Sequence, residues 1–81
     1  MAAFAKTETE IADRVSRYLK AELKRADVTY ASLADRLAKH GVKGETEASI
    51  KNKLARGTFA ATFLLACLAA LELEGVRLED L

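Results

Sequence analysis

The 81-residue sequence contains no proline and no tryptophan, and it has one cysteine and one histidine. The absence of proline favours long helices, and an aromatic content of 6% is low for a sheet-rich domain. The single cysteine, Cys67, excludes an intramolecular disulfide. Because 51% of the residues are hydrophobic and the chain is too short for two cores, the composition predicts one compact all-α domain.

The side chains that enzymes need are scarce. His40 precedes Gly41, where we expect it to end a helix and interact with free carbonyls. Cys67 lies in an apolar run, where we expect a core residue. The glycines at 41 and 44 follow no strand and do not form a phosphate-binding fingerprint. We therefore predict no enzyme, no metal, no cofactor and no small-molecule ligand.

Long apolar runs are also missing. The most apolar stretch, Phe59 to Leu71, is shorter than the roughly 20 residues that cross a bilayer, and charged Glu72 follows it. The N-terminus becomes charged at Lys6, unlike a secretion signal. These features predict a cytoplasmic protein without a membrane partner.

Four segments carry helical periodicity and predict a bundle of four to five helices. The first begins at Thr7, whose spacing from Glu10 is that of a capping box, after a tail of residues 1–6. Thr29 is expected to cap the second helix, and Thr46 or Glu45 the third. The residues expected to face the core are Ile11, Val15, Tyr18, Leu19, Leu23 and Ala26 in the first helix, Leu33, Ala34, Leu37 and Ala38 in the second, and Ile50 and Leu54 in the third.

The fourth segment is apolar on nearly all sides from Phe59 to Leu73. A small domain has difficulty covering every side of such a helix, so we predict that the remainder forms a homodimer seam. We expect Val76 and Leu78 of the short C-terminal segment to fold back onto the core. Residues 7–81 are thus predicted to form a single domain.

Positive charge is concentrated in the middle of the sequence. The net charge of the whole chain is +1, but Lys and Arg outnumber Asp and Glu by five to two between residues 39 and 57, and by seven to six before that range. After residue 57 the balance is one to four. The third helix therefore lies in the part of the chain best suited to a polyanion.

The third helix also has a polar outer face. Ile50 and Leu54 are one turn apart and point inward, which directs Ser49, Asn52 and Arg56 to the opposite side. Lys51 and Lys53 flank that stripe. Such side chains suit base edges and phosphates, although a solvated helix face uses the same residue types.

The order of these elements resembles the lambda-repressor-like helix-turn-helix domains of the Cro type. Thr29–Leu37 resembles the second helix of that class, and Ser49–Gly57 resembles its recognition helix. Leu73–Leu81 resembles the usual C-terminal segment of these domains. The chain is also similar to a narrower group of short, uncharacterised bacterial proteins in which Arg56-Gly-Thr-Phe59 leads into a helix rich in Phe and Leu.

Several positions depart from the pattern of that class. Tyr30 stands where the class commonly has a glutamine that contacts DNA, so the resemblance does not imply that contact. The connection from Val42 to Thr46 is longer than usual. Glu45 and Glu47 at the start of the third helix would repel phosphate, although a glutamate can accept a hydrogen bond from the cytosine amino group.

The resemblance implies a sequence-selective DNA-binding protein that acts as a dimer, most simply a small transcriptional regulator. Its third helix would enter the major groove of double-stranded DNA. The residues assigned to bases are Ser49, Asn52 and Arg56, and those assigned to phosphates are Lys51, Lys53, Lys43 and Lys39. The alternative is a homodimeric protein-interaction module that has the same fold and does not bind DNA.

Overall fold

Four α-helices and one short 3₁₀ helix follow one another in the computed structural model, which describes residues 3–81. The helices are α1 (Glu8–Arg25), α2 (Tyr30–Lys39), α3 (Glu47–Arg56), α4 (Ala61–Ala70) and the 3₁₀ helix Leu78–Asp80. These residues contain no strand, which confirms the all-α prediction for them. The Cα radius of gyration is 12.5 Å, close to the roughly 12 Å expected of a compact domain of this length. Of the predicted tail, residues 1 and 2 lie outside the described part.

The first three helices begin where the sequence predicts. Thr7, Thr29 and Thr46 are the N-caps, and each hydroxyl accepts a hydrogen bond of 3.1 Å from the backbone N–H three residues later. This bond satisfies one of the free donors of a first helical turn. At α1 the Glu10 carboxylate accepts from the backbone N–H of Lys6 at 3.2 Å, one residue before the position that a capping box requires.

Three helices end in the same way. Asp27, Gly41 and Glu72 follow the C-caps of α1, α2 and α4 with positive φ of 57°, 91° and 58°. In each helix, the backbone N–H of the residue after the one with positive φ donates to a carbonyl oxygen in the last helical turn, at 2.8 to 2.9 Å. These two features form the Schellman motif. Because Asp27 and Glu72 are not glycines, the sequence indicated this ending only for α2.

The core lies where α1, α2, α3 and α4 meet. Its largest fully buried side chains are Leu19, Leu33, Leu37, Ile50, Leu54 and Cys67. Burying one such leucine or isoleucine contributes roughly 2 kcal/mol relative to leaving it exposed. The inward faces predicted for α2 and α3 are therefore confirmed at Leu33, Leu37, Ile50 and Leu54, whereas Ala38 is exposed.

The inward face predicted for α1 is confirmed at Leu19 and Leu23, and Val15 and Tyr18 are half-buried against the core, but both ends of that face differ from the prediction. Ile11 is 40% exposed and Ala26 is exposed, while Ala12 and Ser16 are buried in their place. Small residues are needed there because this part of α1 lies directly against the end of α3. Gly57, with φ of 71°, is so close to Ala12 that a Cβ atom at this glycine would lie 2.3 Å from the Ala12 carbonyl oxygen.

The α4 helix is shorter than predicted. It begins at Ala61, after Phe59, and it ends at Ala70 because Glu72 adopts the left-handed conformation, which leaves Leu73 outside it. One side of α4 is exposed, and Leu65 is 64% exposed at its centre. In the C-terminal segment Val76 is partly buried, but Leu78 is 65% exposed. The prediction that Leu78 returns to the core is wrong, because the 3₁₀ helix at Leu78–Asp80 carries its side chain into solvent.

Among residues 3–81, no single helix is both long and apolar enough to cross a membrane. The pair of α3 and α4 passes that test by length and composition together, but the chain bends by 117° between them.

Replacing Gly57 by alanine should destabilise the fold strongly. The new methyl group would meet the Ala12 backbone in addition to the strain of a positive φ, and we expect a loss of about 3 kcal/mol or more. Gly44 is the matched control, because its φ is 89° and no atom lies within 4 Å of an added Cβ. Gly44→Ala should cost about 1 to 2 kcal/mol, from the backbone conformation alone. Denaturant unfolding measures the free energy of unfolding of both variants. Equal losses of stability would show that the contact between Gly57 and α1 does not limit the size of residue 57.

Candidate nucleic-acid interface

The outer face of α3 carries exposed polar side chains. Lys51, Asn52 and Arg56 are all exposed, whereas Ile50 and Leu54 on the opposite side are 0% and 1% exposed. Within the described part of the chain, neither Lys51 nor Arg56 forms an ion pair. The face therefore presents an amide and two cations to solvent.

Two of the seven predicted contact residues are instead engaged inside the chain. Lys53 forms an ion pair with Glu45, and the Lys53 and Glu45 side chains are 29% and 10% exposed. The Ser49 hydroxyl accepts a hydrogen bond from the Thr46 backbone N–H at 2.8 Å and lies 2.7 Å from the Glu45 carboxylate, to which it donates. Both side chains thus fix the start of α3.

This cluster is held against α4. The Lys53 ammonium lies 5.0 Å from the centre of the Phe63 ring, within the range of a cation–π contact. Phe63 is 3% exposed, and its ring centre is 5.0 Å from that of Phe59 in an edge-to-face arrangement. We define Glu45, Ser49, Lys53 and Phe63 as the α3 latch, because they connect the turn before α3 to α4.

The remaining two predicted residues lie on other parts of the surface. Lys43 is exposed in the turn between α2 and α3. Lys39 at the end of α2 lines a shallow groove with His40, which follows it, with Ala69 of α4 and with Glu72 just after α4. The structure therefore brings Lys51, Asn52 and Arg56 together on one helix face and places Lys39 beside α4.

Sequence reasoning missed the role of Glu45. It treated Glu45 as an exposed charge that would repel phosphate, but the carboxylate is mostly buried and paired. Glu45 precedes α3 and lies eight residues before Lys53. The pair therefore lacks the three- or four-residue spacing by which a sequence indicates an ion pair on a helix. Glu47, the other acidic residue of this region, is exposed as expected.

No group of three or more His, Cys, Asp or Glu side chains that could hold a metal occurs among residues 3–81. His40 is the exposed C-cap of α2, and its backbone N–H donates to the Leu37 carbonyl at 3.0 Å. Cys67 is 1% exposed, and burial, with a smaller contribution from the Glu45 charge, raises the pKa of its thiol to about 12. The thiol is consequently protonated at neutral pH and is a poor nucleophile.

The latch also controls the ionisation of Glu45. Burial by itself raises the pKa of this carboxyl, but hydrogen bonds from Lys53 and Ser49 and the charge of Lys53 outweigh burial and hold the pKa below 4.5. The unfolded chain therefore binds the proton more readily than the folded chain. The contribution of Glu45 to stability is present above the ordinary pKa and is lost as the pH falls through the lowered one.

Glu45→Gln should accordingly be less stable than the parent at neutral pH, and the difference should shrink as the pH falls below about 4.5. Chemical unfolding measured at a series of pH values from neutral to acid tests this expectation. Glu47→Gln is the matched control, because it removes the same charge from an exposed position in the first turn of α3. A Glu45→Gln difference that stays constant with pH, or that Glu47→Gln reproduces, would contradict the role assigned to the latch.

Comparison with known proteins assigns the chain to a family but not to an activity. No curated protein and no solved structure matches it. Residues 11–76, which run from the first turn of α1 past the end of α4, match the family described as Domain of unknown function (DUF6471). Because this match covers well over half of the chain, the protein belongs to the DUF6471 family.

Proposed function

We propose that the chain is a lambda-repressor-like helix-turn-helix domain that binds double-stranded DNA through the outer face of α3. The observation that carries this proposal is the exposed set of Lys51, Asn52 and Arg56 on a helix whose Ile50 and Leu54 are fully buried. A recognition helix needs this division, since its inner residues anchor it and its outer residues reach the groove.

Each exposed side chain has a chemical role in this proposal. The Asn52 amide can donate to and accept from one adenine edge, and Arg56 can donate two hydrogen bonds to guanine. Lys51 and Lys43 contact phosphates. Ser49 and Lys53, which the sequence assigned to bases and phosphates, have partners inside the chain, and Lys39 lines a groove beside the end of α4, so the proposal gives these three residues no DNA contact.

The acidic residues of α3 are compatible with this role. Glu45 is neutralised by Lys53, so of the two glutamates near the start of α3 only Glu47 adds negative charge to the exposed surface. An exposed glutamate there can accept from a cytosine amino group. Glu47 is nine residues from Arg56 and therefore lies on the opposite side of α3 from that cation.

We also propose that the protein acts as a dimer through α4. Leu65 is 64% exposed in the middle of a helix without charged residues. A two-fold dimer would place two α3 helices for paired half-sites, about 34 Å apart along DNA.

A protein-interaction module without DNA binding is the second candidate. It is favoured by an open groove of about 450 Å³ between α1 and the start of α4. The groove is lined by apolar side chains that include Ile11, Val15, Phe59 and Leu64. This candidate needs the apolar surface and makes no use of the cations on α3.

The DNA proposal is tested by the double variant Lys51→Gln, Arg56→Gln. Both positions are exposed, so folding should be retained, while the slope of log K against log salt for duplex DNA should fall by about one unit for the lost Lys51 phosphate contact. Loss of the Arg56 base contact should in addition weaken binding to the preferred sequence. The control is Arg25→Gln, Arg77→Gln, which removes the same charge from residues paired with Glu22 and Glu79. An unchanged slope in the folded double variant would remove α3 from the interface. Failure of the parent to bind any duplex would favour the interaction module.

The dimer proposal is tested by Leu65→Lys. Sedimentation should show the parent as a dimer at micromolar concentration and the variant as a monomer, because a buried seam does not accept an unpaired charge. Leu78→Lys is a close control, since Leu78 is 65% exposed in the C-terminal 3₁₀ helix and outside α4. A parent that stays monomeric well above micromolar concentration would exclude the dimer.

A further inference from the structure

The α1 helix runs beside the C-terminal half of α3 in the opposite direction. Ala12 lies against Gly57, and one turn later the Ser16 hydroxyl donates to the Leu54 carbonyl at 2.5 Å. Leu54 belongs to the last turn of α3, whose carbonyls lack partners within their own helix. Ser16, which is 7% exposed, satisfies one of them and fixes the two helices at short range.

An open groove of about 240 Å³ follows this crossing. Asp13, Arg17 and Lys20 of α1 form one wall, and Leu54 and Ala55 of α3 contribute to the other. Arg17 and Lys20 are three residues apart, so they lie next to each other on α1. The small Ala55 side chain leaves the groove open.

The groove is continuous with the outer face of α3. Lys51 is four residues before Ala55 and therefore lies on the same side of the helix, one turn away. Lys51 is exposed and does not line the groove itself, but its spacing from Ala55 places it next to the groove along α3. The cations of two different helices consequently border a single surface.

Arg17 and Lys20 differ from Arg14 and Arg25 of α1, whose side chains have partners among residues 3–81. Arg14 donates to the Phe4 carbonyl and lies 4.7 Å from the centre of the Phe4 ring, and Arg25 is paired with Glu22. Arg17 and Lys20 are exposed and form no ion pair with any residue between 3 and 81. Asp13 is the one carboxylate that lines the groove, so the three charged residues have a net charge of +1.

We infer that Arg17 and Lys20 contact the phosphate backbone of the duplex whose groove α3 occupies. This inference rests on the DNA binding proposed above and extends the interface to α1. Long cationic side chains beside a recognition helix reach the flanking backbone and not the base edges, so they add affinity without sequence information. Arg17 and Lys20 would thus add to Lys51 and Lys43 as phosphate contacts.

The test compares the salt dependence of binding to a random-sequence duplex. In Arg17→Gln, Lys20→Gln, the slope of log K against log salt should fall by about two units relative to the parent. The control Arg25→Gln, Arg77→Gln loses equal charge and should retain the parent slope. The exchange Arg17→Lys, Lys20→Arg preserves both charges and should retain it as well. Thermal melting of each variant confirms folding.

The outcomes separate this inference from the proposed function. If Lys51→Gln, Arg56→Gln lowers the slope and Arg17→Gln, Lys20→Gln does not, α3 binds DNA and the role of α1 is refuted. If the control variant lowers the slope as much as the α1 variant, the effect belongs to net charge and the inference also fails. If the parent shows no salt-dependent binding to duplex DNA, both the inference and the proposed function are overturned.

Discussion

The position of α3 depends on the contact between Gly57 and the backbone of Ala12. A side chain at residue 57 would push α3 away from α1, since its Cβ would lie 2.3 Å from a carbonyl oxygen of the α1 backbone. The bond from Ser16 to the Leu54 carbonyl forms beside this contact and requires the same short distance. The C-terminal end of α3 is therefore fixed by α1, and the direction in which its outer residues point follows from that crossing.

The latch fixes the other end of α3. A buried carboxylate is costly unless its charge is balanced and its oxygens accept hydrogen bonds, and Glu45 obtains both from Lys53 and Ser49. The Phe63 ring in turn faces the Lys53 ammonium. Because Glu45 and Lys53 pair with each other, neither adds an unpaired charge to the outer surface of α3. The surface that remains owes its positive charge to Lys51 and Arg56, whose side chains stay exposed.

Local signals in the sequence were sufficient for much of this fold. Thr7, Thr29 and Thr46 cap their helices with hydrogen bonds that span three residues, and the spacing of Ile50 and Leu54 identifies the inner face of α3. Features that depend on contacts between distant segments escaped prediction. Neither the burial of Ala12 and Ser16 on α1 nor the pairing of Glu45 with Lys53 has a local pattern. The end of α4 was missed because Glu72, which is not a glycine, adopts a positive φ of 58°.

The residues that hold α3 in place and those that it exposes are different residues of the same ten-residue helix. Ser49, Lys53 and Leu54 have their partners inside the domain, whereas Lys51 and Arg56 form no ion pair within residues 3–81. Exposed cations contribute little to stability, so neither charge is needed for the fold. In the proposed DNA complex both cations are free to contact the polyanion, which gains affinity from each cation that it contacts. The apolar side of α4 around Leu65 offers no such attraction, and a second copy of the chain would cover it through burial alone.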